Sequence, residues 1–330
     1  MPGSGFISLR EYTLTAAAAG LTFFCAAADA QQYPARPARI IAGFAPGGST
    51  DIMARIVAQK LTEALQQQVV VENRPGANGN IAAETTARAP PDGYTLLMAA
   101  NGFTINASLY QRIPYDPLRD FSPVTLFALI PNILVVHPSL PVKSVRDIIA
   151  LARAKPDELT HGSSGNGSPG HLAGEVFKQL AKVKFVHIAY KGSSQAVVDL
   201  LGGHLQLAFP TIPVVAQHVR SGRLRALGVT GSRRSASLPE VPTIAEAGVP
   251  GYEVVGWYGV LAPAGVPKDI VARLNAEIVK ALRAPDLQER LLRDGAEPVG
   301  NAPEEFRAYI EADLGKWARV IEAAGIKFEP

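Results

Sequence analysis

Cysteine is nearly absent from this chain: Cys25 is the only one among 330 residues, beside three methionines and two tryptophans. A lone cysteine excludes an intrachain disulfide framework and any multi-cysteine metal or iron–sulfur centre. Charge is sparse as well. Lys and Arg number 32 against 29 Asp and Glu, and no basic run is longer than Arg233-Arg234. The formal net charge of +3 lacks the basic footprint of a nucleic-acid binder and leaves only a weak pull on anions. Catalytic signatures are missing. There is no HExxH or DxDxDG pattern, and no G-x-S-x-G elbow, because Ser164 has Gly162 before it but Asn166 after it. The six histidines are scattered; His171 and Glu175 share a helical face at i,i+4, a pairing read as packed or solvated in preference to metal-ligating. Past residue 30, no apolar run is long enough to cross a bilayer.

What is present begins with an uncharged apolar run, Thr13 to Ala28, which follows Arg10 and ends in the small-x-small triplet Ala28-Asp29-Ala30. It is shorter than the roughly 20 residues of a transmembrane helix. It reads as a secretory signal peptide, residues 1–30, cut after Ala30. Phe23 and Phe24 stand directly before Cys25, where a lipoprotein signal needs small residues. Cleavage then leaves a chain without cysteine. Apolar residues make up 47% of the sequence, and the length suffices for one large or two medium cores, at about 100–200 residues per domain.

From Ile40 onward, short apolar runs alternate with segments of 3.6-residue period, which predicts an α/β fold with largely parallel sheets. Strands are expected at Ile40–Phe44, Gln68–Val71, Tyr94–Ala99, Leu159–Gly162, Phe185–Tyr190, Leu205–Phe209 and Arg225–Thr230. Helices are expected at Ser49–Leu65, from Ser144 through Lys155, and near Pro169–Lys182, Ser194–Leu201 and Val214–Ser221. Three more follow at Lys268–Arg283, Asp286–Asp294 and Pro303–Ala324. Two long apolar stretches, Phe127–His137 and Trp257–Ala262, divide the chain into a beginning, a middle and an end. If both run between lobes, residues 31–130 plus 257–330 form one lobe and 131–256 the other, joined by a two-crossing hinge.

Three loops at strand C-terminal ends are the candidate site, the place where open α/β sheets hold ligands. The first is Phe44-Ala45-Pro46-Gly47-Gly48-Ser49-Thr50-Asp51. Its paired glycines let amides turn toward a ligand at a helix N-terminus, an anion cradle; an ordinary tight turn capped by Ser49 or Asp51 fits the same residues. The second is Gly162-Ser163-Ser164-Gly165-Asn166-Gly167-Ser168, with Ser168 as N-cap before Pro169. Its G-x-G-x-x-G spacing fails as a dinucleotide fingerprint, because the preceding strand is short and polar and no acidic residue ends the next one. The third is Tyr190-Lys191-Gly192, where Lys191 is either an anion contact or simply solvated. Trp257 and Tyr258 are core aromatics or a pocket wall, with the core preferred. No cofactor and no metal is expected.

The residues also carry a resemblance. Ile41 to Asp51, Val71-Glu72-Asn73-Arg74-Pro75-Gly76-Ala77-Asn78-Gly79, Pro91-Asp92-Gly93-Tyr94-Thr95-Leu96, Tyr190-Lys191-Gly192, Glu246 to Glu253, Trp257-Tyr258-Gly259 and Ala262 to Pro267 occur in the order that they have in the Bug family. These are the solute-binding receptors of tripartite tricarboxylate transporters, and the similarity spans essentially the whole chain after residue 30. The resemblance implies a two-lobed, type II periplasmic-binding-protein fold with mixed sheets flanked by helices. It implies a small carboxylate held by main-chain amides and waters of two opposed loops, here Phe44–Asp51 and His161–Ser168. Asn101 and Thr211 lie where side-chain pocket contacts are expected. A periplasmic location, transporter subunits in the membrane as partners, a monomeric chain and no enzymatic activity follow from it. A sensor partner of a membrane signalling protein, or more distantly a Ser/Gly-loop hydrolase, would use the same pocket.

Overall fold

The computed structural model of the chain describes residues 33–190 and 192–325. The expected export signal, with Cys25, lies outside the described residues, as does Lys191. The account below concerns the compact unit that begins at Arg36.

Strand β1 (Ala38–Ala42) and the long amphipathic helix α1 (Ser49–Leu65) open the unit. The helix buries Met53, Ala54, Ile56, Val57, Leu61 and Leu65, the one-sided stripe its period foretells. Then come β2 (Val69–Asn73), a single 3₁₀ turn at Ala77–Gly79, α2 (Asn80–Ala87), β3 (Thr95–Ala100) and α3 (Gly102–Leu109). Strand β4 (Phe121–Pro131) leads, after Asn132 alone, into β5 (Ile133–Val136). The middle of the chain is α4 (Val145–Ala154), β6 (Thr160–Ser163), α5 (Pro169–Ala181), β7 (Val186–Ala189), α6 (Ser193–Leu201), β8 (Leu207–Ala208), α7 (Ile212–Arg220) and β9 (Arg225–Val229). The last stretch is β10 (Val255–Pro263), α8 (Lys268–Leu282), α9 (Pro285–Arg293), β11 (Glu297–Pro298) and α10 (Pro303–Ala324).

The strands form two mixed sheets, ordered β11-β4-β10-β3-β1-β2 and β7-β6-β8-β5-β9. In the first, β2, β1 and β3 run parallel and β10 antiparallel to both β3 and β4. In the second, β7, β6 and β8 are parallel, while β5 is antiparallel to β8 and β9. The fold is therefore α/β with two mixed sheets flanked by helices, as expected. The chain passes between them at Asn132 and returns between Thr230 and Val255. The two passages are bonded together: Thr230 N donates to Asn132 O, Asn132 N to Thr230 Oγ1, and Val254 N to Thr230 O, at 2.7–2.9 Å. The return thus enters the first sheet at Val255, just before the expected Trp257–Ala262 stretch, which lies within β10.

Two helices reach both apolar cores. Phe103 of α3 and Phe306 and Ile310 of α10 belong to the core of the first sheet. Ile105 and Leu109 of α3, and Trp317 and Ile321 of α10, pack instead with Leu134, Phe177 and Tyr252 of the second. Asp313, buried between these halves of α10, accepts from Thr104 Oγ1 (2.6 Å) and Trp257 Nε1 (2.9 Å). Burial pushes its carboxyl above the usual range, opposed by those donors. A division of the chain at residues 130 and 257 separates these four side chains from the core that they join. The sequence reading also passes over α2 and α3. Each has eight residues, too few for a stripe of helical period to stand out.

Candidate functional site

The first loop, residues 44–51, is shaped by Asp51. This carboxylate is almost wholly buried; Oδ2 accepts from the Gly47 amide and Arg55 Nε, both at 2.9 Å, and Oδ1 accepts from Asn73 Nδ2 at 2.9 Å. Asn73 Nδ2 also donates to Phe44 O at 3.0 Å. Burial alone would raise the Asp51 carboxyl, but the Arg55, Gly47 and Asn73 donors outweigh it and hold it below its usual range. Gly47 takes a left-handed turn, φ +79°, open to glycine without penalty.

The helix start beyond it is bare. Gly48, not Ser49 or Asp51, is the N-cap of α1, and no side chain caps it. The first three amides of the helix, Ser49, Thr50 and Asp51, donate to no group among the described residues. Unpartnered first-turn amides with the helix dipole behind them form an anion site. Tyr258 on β10 lies beside the Ser49 and Thr50 side chains, and burial raises its phenol. Phe44, Ala45 and Pro46 form the exposed or half-exposed approach to this turn.

A second segment joins the site that composition alone did not single out. Residues Gly76, Ala77, Asn78 and Gly79 all have positive φ, from +46° to +132°, and the two non-glycines there store strain of about 1–3 kcal/mol each. Asn78 Nδ2 donates to Asn106 Oδ1 at 2.9 Å, and Asn106 Nδ2 donates to Asn78 O at 3.1 Å and to Asn80 Oδ1 at 2.7 Å. Close packing ties this segment to its neighbours. A Cβ on Gly43 would lie 2.8 Å from Gly79 Cα, and one on Gly102 would strike Asn78 O. Between them is a recess of about 10 Å³, lined by Gly43, Phe44, Asn78, Gly79 and Gly102, space for a single water.

The second loop, residues 162–168, follows β6 of the other sheet. Ser163 Oγ donates to Gly165 O (3.0 Å) and accepts from the Gly165 amide (3.1 Å). Ser168 Oγ accepts from His171 N at 3.3 Å, so this serine is the expected N-cap of α5. The Gly167 amide donates to His171 Nδ1 at 3.0 Å. The amides of Ser164 and Asn166 donate to nothing among the described residues. Gly167 also meets the first sheet's elements: a Cβ there would run into Leu109 of α3, with Asn78 Nδ2 at 3.9 Å. The two loops therefore share one intermediary, residues 76–79 with α3.

The remaining expected contacts fall into two groups. Asn101, at the end of β3, is 3% exposed; its Oδ1 accepts from Trp257 N (2.8 Å) and its Nδ2 donates to Val255 O (3.2 Å). It extends the β3–β10 ladder where β10 enters the sheet, with one bond from each end of its amide to the main chain. Thr211 pairs by an isolated bridge with Asn132 and is the N-cap of α7 without a side-chain cap bond. Asn132 Oδ1 beside it is buried and makes no hydrogen bond. Tyr190 points away along α6: its hydroxyl donates to Asp199 Oδ2 at 2.6 Å, and burial followed by that carboxylate pushes the phenol up to about 12. Its carbonyl nevertheless sits 3.3 Å from where a Gly165 Cβ would be. Gly192 is the N-cap of α6, again without a side-chain cap.

Two mixed sheets joined by paired crossings, with bare amides on a loop of each, define a two-lobed solute-binding protein. Comparison with known proteins gives the family. Residues 53–326 match the model of the tripartite tricarboxylate transporter family receptor, TctC, and the chain belongs to that family. It is 40% identical to the protein BugT of Bordetella pertussis over 303 residues, 91% of this chain and 93% of that one. Among solved structures, Rhodopseudomonas palustris Rpa4515 with adipate superposes with a TM-score of 0.83 at 40% identity, covering 90% of this chain and all of that one. MatC of the same organism, with bound malate, gives 0.78 at 31% identity over 88% of this chain and all of that one. The periplasmic binding protein BugD gives 0.80 at 34% identity, with 90% and full coverage. The family's members are periplasmic receptors, and the expected fold and family are those found.

Proposed function

We propose that this chain captures a small carboxylate between its two lobes in the periplasm, hands it to a tripartite tricarboxylate-type membrane transporter, and performs no chemistry on it. The observation that carries this reading is the uncapped start of α1, where the Ser49, Thr50 and Asp51 amides have no protein acceptor. A carboxylate oxygen is the acceptor these donors lack, and charge-assisted bonds of this kind are about twice as strong as neutral ones. The Ser164 and Asn166 amides supply the opposing grip, so that a ligand bridging both loops favours the closed form over the open one. Neutral donors suit capture followed by release, because a fully buried ion pair carries a larger desolvation penalty. Relatives solved with adipate and with malate support a dicarboxylate as the ligand class. In this reading residues 1–30 are removed on export, the mature receptor is a monomer, and lobes 31–130 plus 257–330 and 131–256 move about the Asn132 and Thr230–Val255 passages.

A thermal-shift screen over C4 to C8 dicarboxylates, tricarboxylates and aromatic acids tests it. A ligand at about 100 times its Kd adds about 2.7 kcal/mol of stability, a rise of several degrees in Tm. The acid recovered afterwards, followed by NMR, is expected unchanged. No rise with any acid, or conversion of one, would remove the proposal.

A further inference from the structure

Three imidazoles lie directly under the second loop, and nothing above gives them a role. His171 of α5 and His187 of β7 are stacked, ring centroids 3.9 Å apart and 17° from parallel. His161 of β6 is 5.2 Å from His187 and edge-on to Phe185 and Phe209. His161 is wholly buried, neither of its nitrogens is hydrogen-bonded, and a side chain at Gly174 would strike its ring. Both of the other rings hold the loop. His171 Nδ1 accepts the Gly167 amide, while its Nε2 stands 3.5 Å from Glu175 Oε1, which Lys178 Nζ also meets at 2.6 Å. His187 Nε2 is 2.7 Å from Ser163 Oγ.

The bonding fixes the proton of His171. An Nδ1 that accepts must carry its lone pair, so the His171 proton is on Nε2, facing Glu175. Ser163 Oγ and His187 Nε2 share a bond whose direction follows the His187 tautomer. Protonating His171 at Nδ1 sets one N–H against another and breaks the bond to Gly167. A charge on either ring also meets its stacked neighbour face to face.

We propose that His171, oriented by Glu175, is a positioning residue for the second ligand loop, and that protonation of the stacked His171–His187 pair releases this loop and weakens ligand capture. The proposal rests on residues 163–168 forming part of the ligand site. The groups that face the pair are Glu175 and Lys178 from α5 and His161 from β6. Lys178 opposes a positive charge there, and Glu175 favours it. Burial pushes the Glu175 carboxyl up, but its bonds from His171 and Lys178 outweigh this and keep it ionised. Burial lowers His187 to about 4, and burial holds His161 well below the usual histidine range. A proton on His171 Nδ1 removes the acceptor of the Gly167 amide, so acid populates the released form.

The test follows the imidazole and Gly167 amide nitrogen shifts of the ¹⁵N-labelled mature protein from about pH 8 to about pH 4, with adipate and malate affinities over the same range. His171→Asn keeps an acceptor where Nδ1 sits but cannot take up a proton; His171→Phe keeps the stacked ring and loses the acceptor. The Gly167 amide is expected to titrate with the imidazoles. Between neutral and acid conditions, wild-type affinity is expected to fall about tenfold further than that of His171→Asn, and His171→Phe to bind about tenfold more weakly than the wild type at neutral pH and to converge with it in acid. The ligand's own carboxyls titrate alike for all three proteins, so the difference in slope belongs to His171. A Gly167 amide indifferent to the imidazole titration, or His171→Asn with the wild-type slope, overturns the proposal, and the first of these readouts needs no variant to fold. If Gly167 titrates as expected but neither acid nor any other in the screen binds, the brace stands and the ligand assignment of the loop falls.

Discussion

The two glycine loops of this receptor reach a similar end by opposite means. The first leaves a helix terminus bare and shapes the turn before it with a carboxylate on the third residue of the loop's own helix: Asp51 pins Gly47, while Arg55 and Asn73 hold Asp51. The second caps its helix with Ser168 and braces its turn with imidazoles, one from the same helix and one from the next strand. A carboxylate brace stays charged at any pH above its lowered range, whereas an imidazole brace works only while neutral. On the proposed reading, the first loop's brace is insensitive to moderate acid and the second's is not.

That contrast can be broken at several points. Asp51→Ala leaves Gly47, Asn73 and Arg55 without their acceptor, and a lost buried brace of this kind is expected to cost about 3 kcal/mol in urea unfolding and to abolish ligand binding. An unchanged midpoint would show that the first loop holds its shape unaided. Gly167→Ala places a methyl against Leu109 at a φ of +72°, and the strain with overpacking is expected to cost about 2–3 kcal/mol. If calorimetry finds full affinity there, the loop does not close upon α3.

The third expectation concerns acid. An unfolded histidine titrates at about 6.5, but folding holds His187 at about 4, chiefly through burial. The unfolded chain thus binds the proton more readily. This contribution to stability is complete above about pH 6.5 and is lost progressively towards about pH 4, by about 2 kcal/mol at about pH 5. His187→Gln should flatten that part of the urea-midpoint profile, and an equally steep profile would assign the acid sensitivity elsewhere. The smallest effect is expected of Gly48→Asp. Its backbone, φ −77° and ψ 166°, suits an N-cap, so the new carboxylate should stabilise α1 by roughly a few tenths of a kcal/mol. The same carboxylate would occupy the bare amides, and affinity should fall at least about tenfold. Improved stability with undiminished affinity would mean that the helix start is not where the anion sits.

Much of this arrangement was written locally. Gly47-Gly48 before an amphipathic stripe, and Ser168-Pro169 before another, announce a turn and a helix start because the φ freedom of glycine and the cap chemistry act over three or four residues. The alternation of strands and helices announced the α/β class for a similar reason. The partners of those loops were not local. Tyr258 reaches Ser49 and Thr50 from more than two hundred residues away, His187 meets Ser163 across a strand pair, and Asn78 meets Asn106 only because α3 turns back over residues 76–79. Asn101, expected as a pocket contact, bonds β10 through its side-chain amide, since that amide falls where the strand needs a partner.

By itself, then, the sequence determined which turns present amides, because backbone freedom and helix capping depend on neighbours along the chain. Only the tertiary structure decided which side chains brace those turns and which helices join both cores, because buried hydrogen bonds and packing are satisfied by whatever group the fold brings within reach.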